Sequence, residues 1–414
     1  IEPGTLGVAG DDAELRTYYR EQFLPRLAKN QAGPFSEDEF WPKHPATRYL
    51  QTQFIAKSPH ETGQKDELAE PGDATTYSAH HALYHPVMRR FLKEFGYYDI
   101  FLIEPENGHI VYSVFKEVDF GTSLETDAYR DSNFAESFRL ANSASEKGAA
   151  HLVEFQPYTP SYGAMASFIA CPIFDGDEKV GVIAFQMPID RLNDILTNKE
   201  GWSEVGLGES GETYVVGSDH TMRSQSRFLI QDPDGYLRAA GQAGLTDSTV
   251  DRIRGLGSTI GLQTVNTTGA EEALNGKAGT GQFPGYLGKE VLSAYRPLQI
   301  EGLNWAILSE MGTEEVFASF GRLRDRELML GSVLLAVAIF LSYFFAQSLT
   351  RPIRELETAA RALAAGDLDQ PIKRQSRDEI GDLAERFEEM RTQLSENISQ
   401  LEHQRDKLDQ RVQD

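Results

Sequence analysis

The sequence predicts an α+β protein: a helical N-terminal region, a duplicated antiparallel-sheet module, a membrane helix and an all-α coiled coil. Three observations predict it. The apolar period falls from four to two at Tyr98, and the hairpin pattern that begins there returns at Glu212. Residues Leu328–Thr350 (LMLGSVLLAVAIFLSYFFAQSLT) run for 23 positions without a charge. From Ile380 onward, apolar residues alternate at spacings of three and four.

Composition narrows the field. Hydrophobic content of 40% and charge of 25% are those of globular protein, so disorder is not the default. The net charge of −23 is unevenly spread: the first 350 residues carry 29 basic and 48 acidic groups, the remainder 11 and 15. Such an acidic half repels nucleic acid and anionic headgroups, so neither is expected as a partner. The single cysteine, Cys171, lies in an apolar run and permits no intramolecular disulfide. The opening IEPGTLGVAGDD is too short and polar for a signal peptide, so the expectation is a trimmed start or an earlier span before residue 1.

Taken in order, Asp11 or Asp12 caps a helix with Leu15, Tyr19, Phe23 and Leu27 on one face, bent or ended by Pro25. A second helix runs from about Thr47 to Ile55, and a loop punctuated by Pro59, Gly63, Pro71 and Gly72 follows. Leu83, Val87, Phe91 and Phe95 then mark a longer helix closing at Gly96. YYDIFLI, a PENG turn and HIVYSVF form a hairpin. A helix with Phe134 and Phe138 on one face, the strand HLVEF and the hairpin ASFIACPIF–DGDEK–VGVIAFQM complete an antiparallel module.

The second copy begins with ETYVVG, an SDHT turn and MRSQS, and ends with the hairpin LSAYRPL–QIEG–NWAILSEM. Pro172 and Pro297 occupy matching places in the two copies. Thr313 caps the next helix, Glu314 and Glu315 suit its positive end, and Val316, Phe317, Phe320 and Leu323 share a face. No break signal separates that helix from the apolar stretch. At about 1.5 Å per residue, ~20 apolar residues cross the ~30 Å hydrocarbon core, so this is a membrane span. Its polar members are Ser332, Ser342 and Gln347, and serine can return its hydroxyl to its own helix. Basic residues flank it on both sides (Arg322, Arg324 and Arg326; Arg351 and Arg354), so charge bias leaves its orientation open. Beyond it lie a helix striped by Ile353, Leu356, Ala360 and Leu363, a break at Gly366, and an extended connector with Leu368 and Ile372. A heptad seam through Ile380, Leu383, Phe387, Met390, Leu394, Ile398, Leu401, Arg405, Leu408 and Val412 follows.

Pro352, GDL at 366–368 and DEIG at 378–381, directly after a span, make residues 351–394 resemble a HAMP domain. That resemblance implies a cytoplasmic parallel four-helix dimer, with residues 1–327 outside a bacterial inner membrane. The duplicated module, with phrases such as GESGETYVVGSDHTMRSQSR, resembles a double Cache domain, an extracytoplasmic sensor built of two PAS-like modules. The implied division is a helical region at 1–76, a membrane-distal Cache module at 77–200 and a membrane-proximal one at 201–312. A connecting and membrane helix at 313–350, HAMP at 351–396 and a signalling coiled coil at 397–414 complete it.

Gly206, Gly208 and Gly211 spell GxGxxG, but a strand follows where a dinucleotide site needs a helix, so this is a turn. His81 and His85, with His80 beside them, have zinc spacing but no HExxH glutamate and no third ligand, which favours solvated or capping roles. Arg223 and Arg227, on one face of a strand, could hold an anion, although salt bridges suit so acidic a domain better. No catalytic constellation stands out, and no metal or cofactor is expected. In Cache domains, ligand sits between the sheet and the loops after the first hairpin. The resemblance therefore points to Tyr112, Lys116 and Asp119, with Tyr158, Tyr162, Ser167 and Gln186 from the later loop and strands. The competing reading of these residues is core aromatics with surface polars. The arginine, tryptophan and aspartate pattern of amino-acid-binding relatives cannot be placed. The expected function is a homodimeric transmembrane sensor of a small molecule that relays through HAMP to an output domain. A histidine kinase is expected first, with a cyclase or a chemoreceptor as alternatives.

Overall fold

The computed structural model describes residues 12–31 and 33–413, without the side chains of 319–323 and 409–413. Asp11 as a cap, and Phe320, Leu323 and Val412 as face residues, lie outside that description. Two compact units divide the chain, up to Phe317 and from Ala318.

In the first unit, Leu15, Tyr19, Phe23 and Leu27 are all fully buried. Pro25 does not end their helix: a wider π-helical turn at Tyr19–Phe23 precedes it and the helix runs on to Asn30. The first sheet consists of β1 (Asp99–Ile103), β2 (Ile110–Ser113), β3 (His151–Leu152), β6 (Phe168–Asp175) and β7 (Glu178–Gln186), in the order β2-β1-β7-β6-β3. A small ribbon, β4 (Gln156–Tyr158) with β5 (Ala164–Ala166), stands beside it. HLVEF thus yields only a two-residue strand. One sheet face is covered by the Asn133–Ser143 helix, whose Phe134 stacks on Phe168 at 4.4 Å, and by the N-terminal helices. The other face meets the Thr76–Phe95 helix through Leu92, Ile100, Tyr112 and Val114.

That helix corrects an expectation. Its stripe of Leu83, Val87, Phe91 and Phe95 faces outward, at 65%, 55%, 40% and 53% exposure. The buried side carries Ser78, His81, His85 and Leu92. Periodicity locates a stripe but not the side the sheet takes, and here the polar side finds hydrogen-bond partners. Cys171 is a half-buried free thiol.

The second sheet, β8 (Glu212–Val216), β9 (Gly279–Pro284), β10 (Glu290–Ile300) and β11 (Leu303–Gly312), has the order β8-β11-β10-β9. Pro172 and Pro297 each sit past the end of their strand's second neighbour, where a missing N–H breaks no ladder. MRSQS is not a strand. Only a Val216–Met222 bridge survives from the expected hairpin, and Arg227 opens the Arg227–Gln231 helix capped by Ser226. Arg223 of this segment turns inward and is 1% exposed. Its guanidinium fills the space a Cβ on Gly217 would need.

The Thr313–Phe345 helix begins in the first unit, where the Glu315 carboxylate accepts the backbone N–H groups of Glu209 and Ser210, each at 2.8 Å. The helix from Arg324 to Ala364, with a π-helical turn at Ala346–Thr350, is long and apolar enough to cross a membrane. Ser332 returns its hydroxyl to the Leu328 carbonyl at 2.8 Å.

In the second unit the Arg351–Ala364 helix ends at Ala365, and Gly366 at φ 86° turns the chain into the connector. The connector is stapled to the Glu379–Gln413 helix: Ile372 N–H donates to Glu388 at 2.7 Å, and Arg391, paired with Glu388, donates to the Leu368 carbonyl. Asp378 caps that helix, accepting from the N–H groups of Ile380 and Gly381. A Cβ on Gly381 would overlap the Ser376 carbonyl, which accounts for the glycine of DEIG. Gly381→Ala must push the connector off its cap at a cost of about 1–3 kcal/mol. Amide exchange at Ile380 and Gly381 should accelerate, and unchanged protection there would refute this account. Leu383, Met390, Leu394, Ile398, Leu401 and Leu408 lie exposed on the single chain.

Candidate ligand site in the first sheet module

A buried polar cluster occupies the sheet face under the N-terminal helices. Asp119, on the loop leaving β2, accepts the Tyr158 hydroxyl at 2.6 Å, while among the described residues its Oδ1 meets no donor in full hydrogen-bond geometry. Burial pushes this carboxyl up to about 6. Tyr158 packs edge-on against Phe168 at 5.0 Å and beside Tyr129 at 6.3 Å, whose hydroxyl also has no partner among the described residues. Glu117 accepts Ser161 Oγ at 3.0 Å and the Tyr98 hydroxyl at 3.2 Å. Its carboxyl is pushed up to about 8 by burial, then by the charges of Asp119 and Asp99. Gln186, at the end of β7, donates to Ser161 Oγ at 3.4 Å, and its own Oε1 has no partner among the described residues.

The N-terminal region closes the cluster. Lys65 is 3% exposed, donates to the Tyr18 hydroxyl at 2.7 Å and lies 4.5 Å over that ring. Burial lowers it to about 8 against the pull of Glu117. Tyr162, held at φ 56°, lies between the Phe23 ring at 5.9 Å and the Arg26 guanidinium at 5.8 Å. Buried atoms left without partners cost free energy, and polar clusters that tolerate them are candidates for ligand recognition.

Of the residues expected from sequence, Asp119, Tyr158, Tyr162 and Gln186 come together here. Ser167 bonds the Val153 carbonyl at 2.6 Å and fixes the chain entering β4. Tyr112 lies on the opposite sheet face, its hydroxyl 2.7 Å from His85 Nδ1. Lys116, fully buried at φ 56°, points the same way and donates to the carbonyls of Val114 (2.9 Å) and Lys65 (3.3 Å). Glu117, Lys65, Tyr18, Tyr129 and Ser161 were not anticipated. An acid inside the apolar run VFKEVDF was the available signal for Glu117, but Lys65 and Tyr18 are brought in only by folding.

His81 and His85 are core residues rather than solvated ones. His85 Nε2 donates to the Asp66 carbonyl at 2.7 Å, which leaves Nδ1 to accept from Tyr112. Burial and Lys116 hold His85 down near 4 and His81 near 3, so both are neutral. Among the described residues no group of three His, Cys, Asp or Glu side chains could hold a metal. The GxGxxG segment is a turn entering β8, with Gly206 and Gly208 at positive φ. Arg227 donates to the carbonyls of Gly208 and Gly211, and Arg223 pairs with Glu154 and Asp219, each at 2.9 Å. Neither arginine presents an anion site.

Two antiparallel-sheet modules on a membrane-length helix, followed by a helix–connector–helix unit, define a transmembrane sensory receptor with an extracellular sensor. The chain belongs to the Cache domain family, which it matches over residues 21–320, and it matches the HAMP domain over 344–396. It is 27% identical to the methyl-accepting chemotaxis protein TlpA of Bacillus subtilis (strain 168) over 290 residues, 69% of this chain and 36% of that protein. It is 32% identical to the heme sensor protein HssS of Staphylococcus aureus (strain JH9) over 89 residues, 22% of this chain and 20% of that one. The periplasmic sensory domain of the Campylobacter jejuni chemoreceptor Tlp1 aligns with a TM-score of 0.37 at 15% identity, covering 65% of this chain and 92% of that domain. The chain thus spans 36% or less of the length of these two curated relatives.

Proposed function

We propose that the membrane-distal module, residues 77–200, binds a small polar molecule and that this biases a HAMP homodimer across a bacterial cytoplasmic membrane. The observation that carries the reading is the cluster of buried Asp119, Tyr158, Gln186 and Lys65 with half-buried Glu117 and Tyr162, in which, among the described residues, acceptor oxygens are left unpaired on Asp119 and Gln186. Such a site favours a ligand rich in hydrogen-bond donors, and its aromatic walls suit a compact one. Tyr112 and Lys116 would act from the far side of the sheet by holding the loop that carries Asp119. Ser167 would act as a positioning residue.

The relay would run from the modules along the helix that starts at Thr313 into HAMP, whose exposed seam fits a second copy of the chain. A ligand shifts that balance only by its differential affinity for two receptor states. For the output, the longer alignment favours a chemoreceptor over the histidine kinase expected from the charged segment after HAMP. The relative aligned over 69% of the chain is a methyl-accepting chemotaxis protein, and the match to HssS covers 22%.

The test is thermal denaturation of the full chain in lipid nanodiscs against a library of small polar metabolites. A hit should raise the midpoint in a concentration-dependent way. Asp119→Asn and Tyr158→Phe should each weaken that hit about 10- to 100-fold, the ~1.5–3 kcal/mol of a charged hydrogen bond. A library without a hit at millimolar concentration, or a hit indifferent to both substitutions, would remove the distal site from consideration.

A further inference from the structure

The second sheet module carries a site of its own. A cavity of ≈350 Å³ lies between the β8–β11 edge of the sheet and the helices Arg227–Gln231 and Pro233–Gln242. Two glutamates, Glu212 on β8 and Glu310 on β11, line it. They are direct cross-strand partners and are 3% and 4% exposed. Like charges placed directly opposite on a sheet destabilise it, and such a departure from good local design marks a functional place.

The two carboxyls are unequally satisfied. Glu212 accepts the Tyr286 hydroxyl at 2.5 Å and the Arg227 backbone N–H at 3.1 Å. Among the described residues the buried Oε1 of Glu310 meets no donor in full hydrogen-bond geometry. The Tyr214 and Ser293 hydroxyls face this carboxyl and favour its charged form against burial, without reaching full hydrogen-bond geometry. Oε2 lies on the cavity side, where a Cβ on Gly285 would come within 3.5 Å of it. Among the described residues no lysine or arginine forms an ion pair with either carboxyl. The Arg227 guanidinium acts on Glu212 through its charge, but its hydrogen bonds are committed to backbone carbonyls of the 207–211 turn and to Gln231. Phe228, Tyr236, Tyr286 and Leu287 supply apolar and aromatic walls, and the exposed Asp232 and Lys289 also line the cavity, with Lys289 forming no ion pair to either buried carboxyl.

We propose that this cavity binds a small organic cation, an ammonium group on an apolar body. The ammonium would be shared by Glu310 and Glu212, and the body would lie against Phe228, Tyr236 and Tyr286. An ammonium donates to the free carboxylate oxygens, removes the repulsion between them and meets aromatic faces that attract cations. Two carboxyls with apolar walls are a poor fit for a divalent metal, which needs more oxygen ligands. The site is separate from the distal cluster, so the two readings stand or fall independently.

The test is calorimetric titration of the full chain in nanodiscs at pH 8 with phenethylammonium, ethanolammonium and tetramethylammonium, and with neutral 2-phenylethanol. Phenethylammonium should bind saturably and the alcohol at least 10-fold more weakly. Glu310→Gln and Glu212→Gln should each weaken the ammonium at least 10-fold, whereas Asp119→Asn should leave it unchanged. Should the glutamate variants fail to fold, Ala239→Leu fills the cavity from a half-buried wall position without touching either carboxyl, and it should abolish binding. The proposal is overturned if no ammonium probe saturates, if the alcohol binds equally well, or if binding survives Ala239→Leu or the folded Glu310→Gln.

Discussion

Arg223→Met is expected to lower the stability of the sensor by about 2–3 kcal/mol. The guanidinium is 1% exposed, bonds Glu154 of the first module and Asp219 of the second at 2.9 Å each, and donates to the Thr221 carbonyl at 3.0 Å. Glu154 in turn accepts Trp305 Nε1 at 2.9 Å, and Phe155 stacks on Trp305 at 5.8 Å. One arginine therefore organises the joint between the two sheets. Breaking a buried pair costs about 3–5 kcal/mol when the remaining charge is stranded. Here Glu154 and Asp219 keep 27% and 52% of their side-chain exposure, so water recovers part of that loss. Arg223→Lys should recover little, because an ammonium cannot reproduce the fork that serves Glu154, Asp219 and Thr221 together. Unfolding followed by tryptophan fluorescence, in which Trp305 reports on the joint, is the measurement. A loss below about 0.5 kcal/mol would mean that the modules are held together by apolar packing alone.

The second large effect is one of pH. The Glu117 carboxyl is held at about 8 against an ordinary 4.5, so between those values the folded state keeps a proton that the unfolded state gives up. Its contribution to stability is complete below about 4.5 and is lost as pH rises through 8, at up to ~1.4 kcal/mol per unit. Because Glu117 is partly exposed as a residue, the total is on the order of 2–3 kcal/mol. Asp119 and Glu212, held at about 6 and about 7, act in the same direction. Lys65 and Lys116, depressed to about 8 and about 7, act oppositely, adding stability as pH rises from there towards 10.5. Glu117→Gln, isosteric with the protonated acid, isolates the term. The variant should match the parent at pH 5 and exceed it by the stated amount at pH 8.5. Parallel stability–pH curves would show that Glu117 is ionised in the folded protein.

Much of the architecture was legible because it rests on local, periodic signals. Alternation and turn residues marked the hairpins at 99–113 and 168–186, and length without charge marked the membrane helix. The residues Gly366 and DEIG marked the HAMP connector, for the reason the Ser376 carbonyl supplies. What the chain could not reveal by itself is which of two faces turns inward and which distant residues meet. The outward stripe of the Thr76–Phe95 helix and the inward Arg223 reverse the simplest reading. In both places polar groups are buried because partners far along the chain satisfy them. The candidate site divides in the same way. Asp119, Tyr158, Tyr162 and Gln186 could be named from the expected position of a pocket, whereas Glu117's partners and Lys65 could not. In a chain with 63 acidic residues, an isolated acid carries little information until the fold shows which are enclosed. Glu212 and Glu310, 98 positions apart, became a pair only through the β8–β11 register. Patterns along the chain specify elements because hydrogen bonding and side-chain direction are local. Sites depend on burial and charge compensation, which only the tertiary structure decides.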